Sequence, residues 1–239
     1  MVSLNIVSVL VLILFGLRIR LLSLWLVDMD TLLSLLFIAL MLFGIGYLFG
    51  RFKQSQNYNN IGEKRVADLL TLKLDRDNYH LLNNVTLPAG NGTTQIDHIV
   101  VSTKGIFVIE TKHYSGWIFG GIKSKVWNQT IYKKKSYFQN PMHQNYKHVK
   151  TIQGLFDFMP PDNVINVVVF SGDAEFKTKR PTNVLLLNEI VEYIKRHDEE
   201  LLSLNRMEFC VGRIQCQRLP ETKETDRSHK LYLLSQHRS

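Results

Sequence analysis

The segment QIDHIVVSTKGIFVIETKHYSG, residues 95–116, contains two apolar runs of Ile, Val and Phe separated by the polar sequence STKG. Two such runs around a short polar turn are typical of a β-hairpin. Asp97, Glu110 and Lys112 interrupt the runs where a core strand would carry apolar side chains. Burying a charge is costly unless the charge is paired or binds an ion. The segment therefore predicts a buried hairpin that also carries a charged site.

The pairing register of this hairpin determines whether the two acids meet. Side chains alternate between the faces of a strand, so Glu110 and Lys112 lie on one face. If Val101 pairs with Ile106, Asp97 lies opposite Glu110 on that face. A shift of one residue places Asp97 opposite Thr111 and separates the acids. The turn sequence allows both registers, so this condition is left for the structure to test.

Two carboxylates on one face suggest a specific chemistry. They repel each other unless a cation joins them, and their oxygen atoms suit Mg²⁺ or Mn²⁺. A bound metal ion polarises a phosphoryl oxygen and lowers the pKa of a coordinated water. Lys112 would then orient that water or stabilise the negative charge that develops during hydrolysis of a phosphodiester. The alternative is that Asp97, Glu110 and Lys112 form a satisfied ion-pair cluster with no catalytic role.

A family resemblance favours the first interpretation. The segment QIDHIVVSTKGIFVIETKHYSGWIFG, with GEKRV upstream and NPMHQNYKHV downstream, resembles the nuclease-related domain (NERD) family of the PD-(D/E)xK nuclease superfamily. The resemblance extends from Gly62 to Phe158. Ile96 stands where the superfamily name has proline, as is usual within the NERD family, and the sequence beyond about residue 160 is less similar.

The resemblance implies roles for individual residues. Asp97 and Glu110 match the metal-binding acids, Lys112 matches the catalytic lysine, and Glu63 matches an acid on a preceding helix that supports the metal site. Gln95 and Gln144 match positions near the site. The implied activity is Mg²⁺- or Mn²⁺-dependent hydrolysis of nucleic acid, with DNA favoured over RNA as the substrate.

Two further groups of residues have a functional and a structural interpretation. His148 follows Gln144 by four residues on a predicted helix, so it either lines the same cleft or is an ordinary surface histidine. The segment KSKVWNQTIYKKKSYF interleaves lysines with aromatic residues, which suits contact with phosphates and bases. The structural alternative is that lysines on an edge strand prevent it from pairing with the edge strand of another molecule. The lysines concerned are Lys123, Lys125, Lys133, Lys134 and Lys135.

The N-terminal residues 1–50 differ from the rest of the chain. Residues 31–50 contain no charged side chain and are long enough to span a bilayer. An earlier uncharged run predicts a first span over residues 2–17, or 2–27 if it continues. We therefore expect residues 1–50 to form a lipid-bilayer anchor of one or two transmembrane helices, with an orientation that the flanking charges do not determine.

The remaining sequence predicts an α/β domain of restriction-endonuclease type, in which helices flank a mixed sheet. We expect a polar linker over residues 51–60, with Asn59 and Asn60 capping a helix that begins near Ile61. The nuclease-like core follows over residues 61–160 and its α/β extension over residues 161–218. The charged tail, residues 219–239, is expected to be poorly ordered.

The formal net charge of +8 belongs entirely to residues 51–239, since the four charges in residues 1–50 cancel. Such a basic domain prefers polyanions, either nucleic acid or an acidic membrane surface. With only two cysteines, Cys210 and Cys216, the chain suits a reducing compartment. We therefore expect an integral cell-membrane protein with its soluble domain in the cytoplasm. A catalytically inactive module that binds nucleic acid or a protein partner at the membrane is the main alternative.

Overall fold

The computed structural model describes residues 14–15 and 29–236. Helix α1 covers Met29–Lys73, and the chain divides into two units between Gln56 and Asn57. Within α1, Thr31–Leu48 is an 18-residue window with a mean hydropathy of 2.3. By length and composition this window is able to cross a membrane, although a signal sequence near the N-terminus would have the same properties. The predicted first span, 2–17 or 2–27, lies outside the described residues apart from Leu14 and Phe15.

The predicted linker over residues 51–60 is wrong, because these residues are helical and α1 continues through them to Lys73. No proline or glycine occurs between Arg51 and Ile61, so nothing in the backbone ends the helix. Asn59 and Asn60 therefore lie inside a helix and do not cap one.

The second unit contains nine strands among the described residues. They are, in chain order, β1 Tyr79–Ala89, β2 Gly92–Ser102, β3 Gly105–Lys112, β4 Gly116–Phe119, β5 Val126–Ile131, β6 Lys134–Gln139, β7 Val164–Phe170, β8 Ala174–Phe176 and β9 Val184–Leu186. Four helices follow α1: α2 Pro141–Gln153, α3 Ile190–Lys195, α4 Leu204–Gln217 and α5 Lys223–Gln236.

The strands form two mixed sheets. The main sheet has the order β1-β2-β3-β7-β9, in which the first three strands are antiparallel and β3, β7 and β9 are parallel. This arrangement confirms the predicted α/β class with a mixed sheet flanked by helices. The small sheet, with the order β6-β5-β4-β8, was not expected as a separate layer.

Helices cover both faces of the main sheet. Ile99 and Val108 share a buried cluster with Val149 and Ile152 of α2, and Met207 of α4 joins the same cluster. On the other face, Phe107 and Ile109 pack in a second cluster with Val66 and Leu70 of α1. Strands covered on both faces need apolar side chains on both sides, which explains the continuous apolar runs of β3 and β7.

The hairpin register matches the condition that brings the acids together. Val101 pairs with Ile106 and Ser102 pairs with Gly105, and the ladder continues to His98 and Ile109. One further step along this register places Asp97 opposite Glu110.

The C-terminal tail is more ordered than predicted. Residues 223–236 form helix α5, whereas the charged sequence predicted little structure. His229 of α5 is buried and shares a hydrogen bond of 2.8 Å with Thr93 of β2. The Tyr232 ring fills the space beside Gly92, which a Cβ atom would otherwise occupy. These contacts with β2 explain the order of the tail, and the local sequence does not show them.

Candidate active site

The two acids approach each other from neighbouring strands. Asp97 lies on β2, and its Oδ2 accepts a hydrogen bond of 2.7 Å from the backbone N–H of Thr111 on β3. Glu110 precedes Thr111 and is almost completely buried, with 3% of its surface exposed. The backbone hydrogen bond therefore fixes the Asp97 carboxylate at the part of β3 that carries Glu110 and Lys112.

Lys112, Glu110 and Gln144 form a closed triangle of hydrogen bonds. The Lys112 Nζ donates to Glu110 Oε1 at 2.6 Å and to Gln144 Oε1 at 3.0 Å. The Gln144 Nε2 donates to Glu110 Oε1 at 2.7 Å. Because Gln144 belongs to α2, this helix holds the lysine and the carboxylate in a defined arrangement.

His148 lies one helical turn after Gln144 and faces the same acid. Its Nε2 is 3.4 Å from Glu110 Oε2, within ion-pair distance for a protonated imidazole but without hydrogen-bond geometry. Its Nδ1 shares a hydrogen bond of 2.6 Å with Thr94 Oγ1. Only 8% of His148 is exposed, so it is a buried neighbour of Glu110 and not a surface histidine.

Glu63 reaches the same region from α1, and the neighbouring Gly62 allows the approach. A Cβ atom on Gly62 would lie 2.5 Å from His113 Cβ and 2.7 Å from Ser171 Oγ, just beyond the ends of β3 and β7. Glycine thus permits the helix to pack directly against these strand ends. Within the described part of the chain, the Glu63 carboxylate has no hydrogen-bond or ion-pair partner.

The electrostatics of the acids reflect their proximity. Removal from water raises the pKa of Asp97 well above its usual value, and the charges of Glu110 and Glu63 raise it further. Removal from water and the Glu110 charge likewise raise the pKa of Glu63. For Glu110, burial alone would raise the pKa, but Lys112 and His148 lower it below the usual value.

Lys112 stays protonated in this environment. Burial alone would lower its pKa, but the Glu110 carboxylate outweighs that effect and raises it. Lys112 is therefore a buried ammonium ion at neutral pH. Three carboxylates against one ammonium leave an excess of two negative charges when all of them are ionised.

The donor set suits a hard divalent cation. Carboxylate oxygens are the ligands that Mg²⁺ and Mn²⁺ prefer, and a dication would balance the excess negative charge. The carboxylates in this region belong to Asp97, Glu110 and Glu63. Among residues 14–15 and 29–236, no three His, Cys, Asp or Glu side chains already stand at metal-binding spacing. The fit therefore rests on donor chemistry and charge.

Not every predicted residue joins the site. The Gln95 side chain donates to Asn84 Oδ1 on β1, and no contact with the acids is present in the described structure. The five predicted lysines of the small sheet and its loops are exposed. Of the aromatic residues between them, Trp127 is buried and Phe138 packs against the same apolar cluster, so both serve the core.

Sequence reasoning missed Asn145, which positions α2. Its side-chain Nδ2 donates to the backbone carbonyls of Val108 and Val167 and to Asn166 Oδ1, at 2.8–2.9 Å. These bonds join α2 to β3 and β7 directly beside Gln144. A lone asparagine next to Gln144 carries no signal of this role, because its partners are distant in sequence.

Comparison with known proteins agrees with the geometry. The family profile of the nuclease-related domain matches residues 58–171, which include all the side chains described above. Over 177 residues the chain is 38% identical to an uncharacterized protein of Bacillus anthracis, covering 72% of this chain and 82% of that protein. No solved structure matches. The chain therefore belongs to the nuclease-related domain (NERD) family.

Proposed function

We propose that this protein is a membrane-anchored, metal-dependent nuclease that hydrolyses phosphodiester bonds of DNA. The observation that carries the proposal is the β2–β3 register, which places Asp97, Glu110 and Lys112 on one face. That arrangement occurs in a chain of the nuclease-related domain family, whose profile covers the same residues.

The protein groups have separable roles in the proposed mechanism. The Lys112 ammonium stabilises the negative charge that develops on the phosphoryl oxygens, since a protonated lysine cannot act as a base. Gln144 holds Lys112 and Glu110 together through its two hydrogen bonds. The Thr111 N–H holds Asp97. In the reaction, the water oxygen forms a new P–O bond, one ester P–O bond breaks, and the proton passes to the leaving oxygen.

The metal ion would be held by Asp97 and Glu110, with Glu63 as the third acid. When bound, Mg²⁺ or Mn²⁺ supplies Lewis-acid polarisation of the phosphodiester. The charge balance supports this assignment, because the site otherwise contains more carboxylates than cations.

The charge of the domain supports the proposed substrate, and the composition of the chain supports the proposed cellular location. Lys123, Lys125 and Lys133–Lys135 are exposed in the sequence directly after the site and suit contact with DNA phosphates. The apolar window Thr31–Leu48 supports an anchor in the cell membrane. DNA and free thiols both belong to the cytoplasm, which is where we place the soluble domain.

A nuclease assay tests the proposal. The full-length chain, purified in detergent, is incubated with labelled DNA and either Mg²⁺, Mn²⁺ or EDTA. We expect metal-dependent cutting that falls by at least about a hundredfold in Asp97→Asn and Glu110→Gln, since metal ligation supplies several kcal/mol of transition-state stabilisation. Asp77→Asn changes an exposed acid outside the site and should leave the rate unchanged.

One observation favours a second candidate, a binding module without catalysis. Lys112, Glu110 and Gln144 already satisfy one another, as in a purely structural ion-pair cluster. Salt-sensitive DNA binding without cutting, unchanged in both acid variants, would support this candidate and contradict the nuclease.

A further inference from the structure

The small sheet has one face in the core and one face in solvent. Ile118 and Trp127 lie on the inner face, where they pack with Val168 and Phe170 of the main sheet. Residues directly opposite in antiparallel strands point to the same side. The outer face is therefore defined by the pairs that alternate with the inner ones: Trp117 with Thr130, Phe119 with Asn128, Asn128 with Tyr137, and Thr130 with Lys135.

Large aromatic rings are exposed on this outer face. Trp117 is 48% exposed and Tyr137 is 72% exposed. The Lys177 ammonium lies 4.8 Å from the centre of the Trp117 ring and covers it, while Lys177 also pairs with Glu175. Within residues 14–15 and 29–236, Tyr137 has no aromatic or cationic partner. Its ring is therefore available to a ligand.

Tyr132 occupies the tip of the β5–β6 hairpin in an unusual conformation. Ile131 pairs with Lys134, so Tyr132 and Lys133 form a two-residue turn. Tyr132 has a φ of 53°, where glycine or asparagine is the favoured residue. Its side chain is 96% exposed and, in the described structure, touches no aromatic or cationic partner. Fold stability therefore does not explain a tyrosine at this position.

The charge around these rings is positive. No aspartate or glutamate occurs between Glu110 and Asp157, whereas Lys133, Lys134 and Lys135 directly follow Tyr132. Glu175, on the far edge strand β8, is already paired with Lys177. An anionic ligand with exposed rings of its own would match this surface in both charge and shape.

The small sheet is connected to the candidate active site through the chain and through α2. Strand β4 begins four residues after Lys112. Asn140, the cap of α2, donates to the carbonyls of Gly121, Ile122 and Ser124 in the β4–β5 loop. Helix α2 then carries Gln144 and His148 to Glu110, so the small sheet and the candidate active site share α2 as a common support.

We propose that the outer face of the small sheet and its β5–β6 turn bind single-stranded nucleic acid, with unpaired bases stacking on Tyr132 and Tyr137 and phosphates contacting Lys133 and Lys135. Stacking requires bases whose faces are accessible, which a blunt duplex does not offer. The proposal narrows the substrate of the proposed nuclease to single-stranded nucleic acid. It rests on the proposed function only for the claim that the bound nucleic acid is cleaved. Binding is measurable in EDTA, which removes the metal ion that cleavage requires. The binding proposal is therefore tested separately from the proposed nuclease activity.

Fluorescence anisotropy with the full-length chain in detergent and EDTA tests this surface. The probes are a labelled 20-nucleotide oligo-dT strand and a blunt 20-base-pair duplex. The variants are Tyr132→Gly and Tyr137→Thr. We expect each to weaken binding of the single strand by about 5- to 100-fold, the range for loss of one stacking ring, with the duplex affected much less. Leu72→Ala, an exposed apolar control on α1, should change neither.

Two comparisons separate binding from folding. Tyr132→Gly relaxes the turn, so its melting temperature should equal or exceed that of the parent while its binding weakens. Tyr132→Trp should retain the affinity of the parent. Equal losses for strand and duplex, or no loss, would overturn the proposal. Binding to vesicles containing phosphatidylserine, lost in the same variants while oligo-dT binding persists, would instead assign the surface to the membrane and also overturn it.

Discussion

At the scale of single residues, the site depends on the close approach of α1 to the ends of β3 and β7 as much as on its charged side chains. Glu63 comes near Glu110 and Lys112 because Gly62 lets α1 pack against His113 and Ser171. Glycine inside a helix normally lowers stability by about 1 kcal/mol relative to alanine. Its presence at residue 62 is explained by the contact that it permits.

The substitution Gly62→Ala should therefore destabilise the protein, against the usual trend. The added Cβ would lie 2.5 Å from His113 Cβ, and such overpacking costs about 1–3 kcal/mol. Denaturant unfolding of the full-length chain measures the effect, and the nuclease assay should show a loss of rate as Glu63 moves away.

Gly212→Ala provides the matched control. Gly212 lies in α4, and outside the adjoining backbone of that helix no atom lies within 4 Å of an added Cβ. This change should therefore stabilise the protein by roughly 0.5–1 kcal/mol. Equal stabilisation by both changes would show that Gly62 has no packing role.

The residues of the site show what the sequence reveals and what it leaves open. The chemistry of Asp97, Glu110 and Lys112 is visible in the sequence, but their juxtaposition depends on a turn that permits two registers. The structure selects the register by pairing Ser102 with Gly105. Asn145 could not be predicted, because its partners Val108 and Val167 adjoin it only in three dimensions.

At the scale of elements, α2 connects the small sheet with the site. Asn140 is the N-cap of α2, and its Oδ1 accepts a hydrogen bond of 2.9 Å from Met142 N–H. The structure adds a second role, because its Nδ2 donates to three carbonyls of the β4–β5 loop. One buried side chain thus holds both the loop and the helix start.

Replacing Asn140 by aspartate separates these roles. The carboxylate keeps the cap acceptor but cannot donate, so the loop carbonyls lose their partner and face a negative charge. We expect a loss of about 2–4 kcal/mol in the free energy of unfolding, measured by chemical denaturation. Ser203→Ala removes an ordinary cap of α4 and should cost only about 1 kcal/mol. A similar small cost for both would show that the loop bonds contribute little.

The two mispredicted segments have different physical causes. Residues 51–60 are polar enough to suggest a linker, yet without glycine or proline they continue α1. Helix α5 has only a weak apolar stripe, and its order comes from His229 and Tyr232 meeting β2. Contacts distant in sequence thus explain the order of the tail, whereas the small sheet combines the consecutive strands β4, β5 and β6 with the distant strand β8.

At the scale of the whole molecule, composition separates the chain into two parts. Residues 1–50 carry balanced charges, and the rest of the chain carries the net charge of +8. The apolar window Thr31–Leu48 and the basic α/β unit suit a lipid bilayer and a polyanion respectively. This division was visible from sequence, because it needs only local composition.

The most direct test of the central claim compares two lysines of the same hairpin. Lys112 contacts Glu110 in the site, whereas Lys104 lies at the hairpin turn and pairs with Glu200. Single-turnover cleavage of labelled DNA by the full-length chain with Mg²⁺ is measured for Lys112→Ala and Lys104→Ala. We predict that Lys112→Ala lowers the cleavage rate constant by at least about a hundredfold, with DNA affinity changed little, and that Lys104→Ala cuts normally. Cutting by Lys112→Ala at the parental rate would contradict the assignment of the active site.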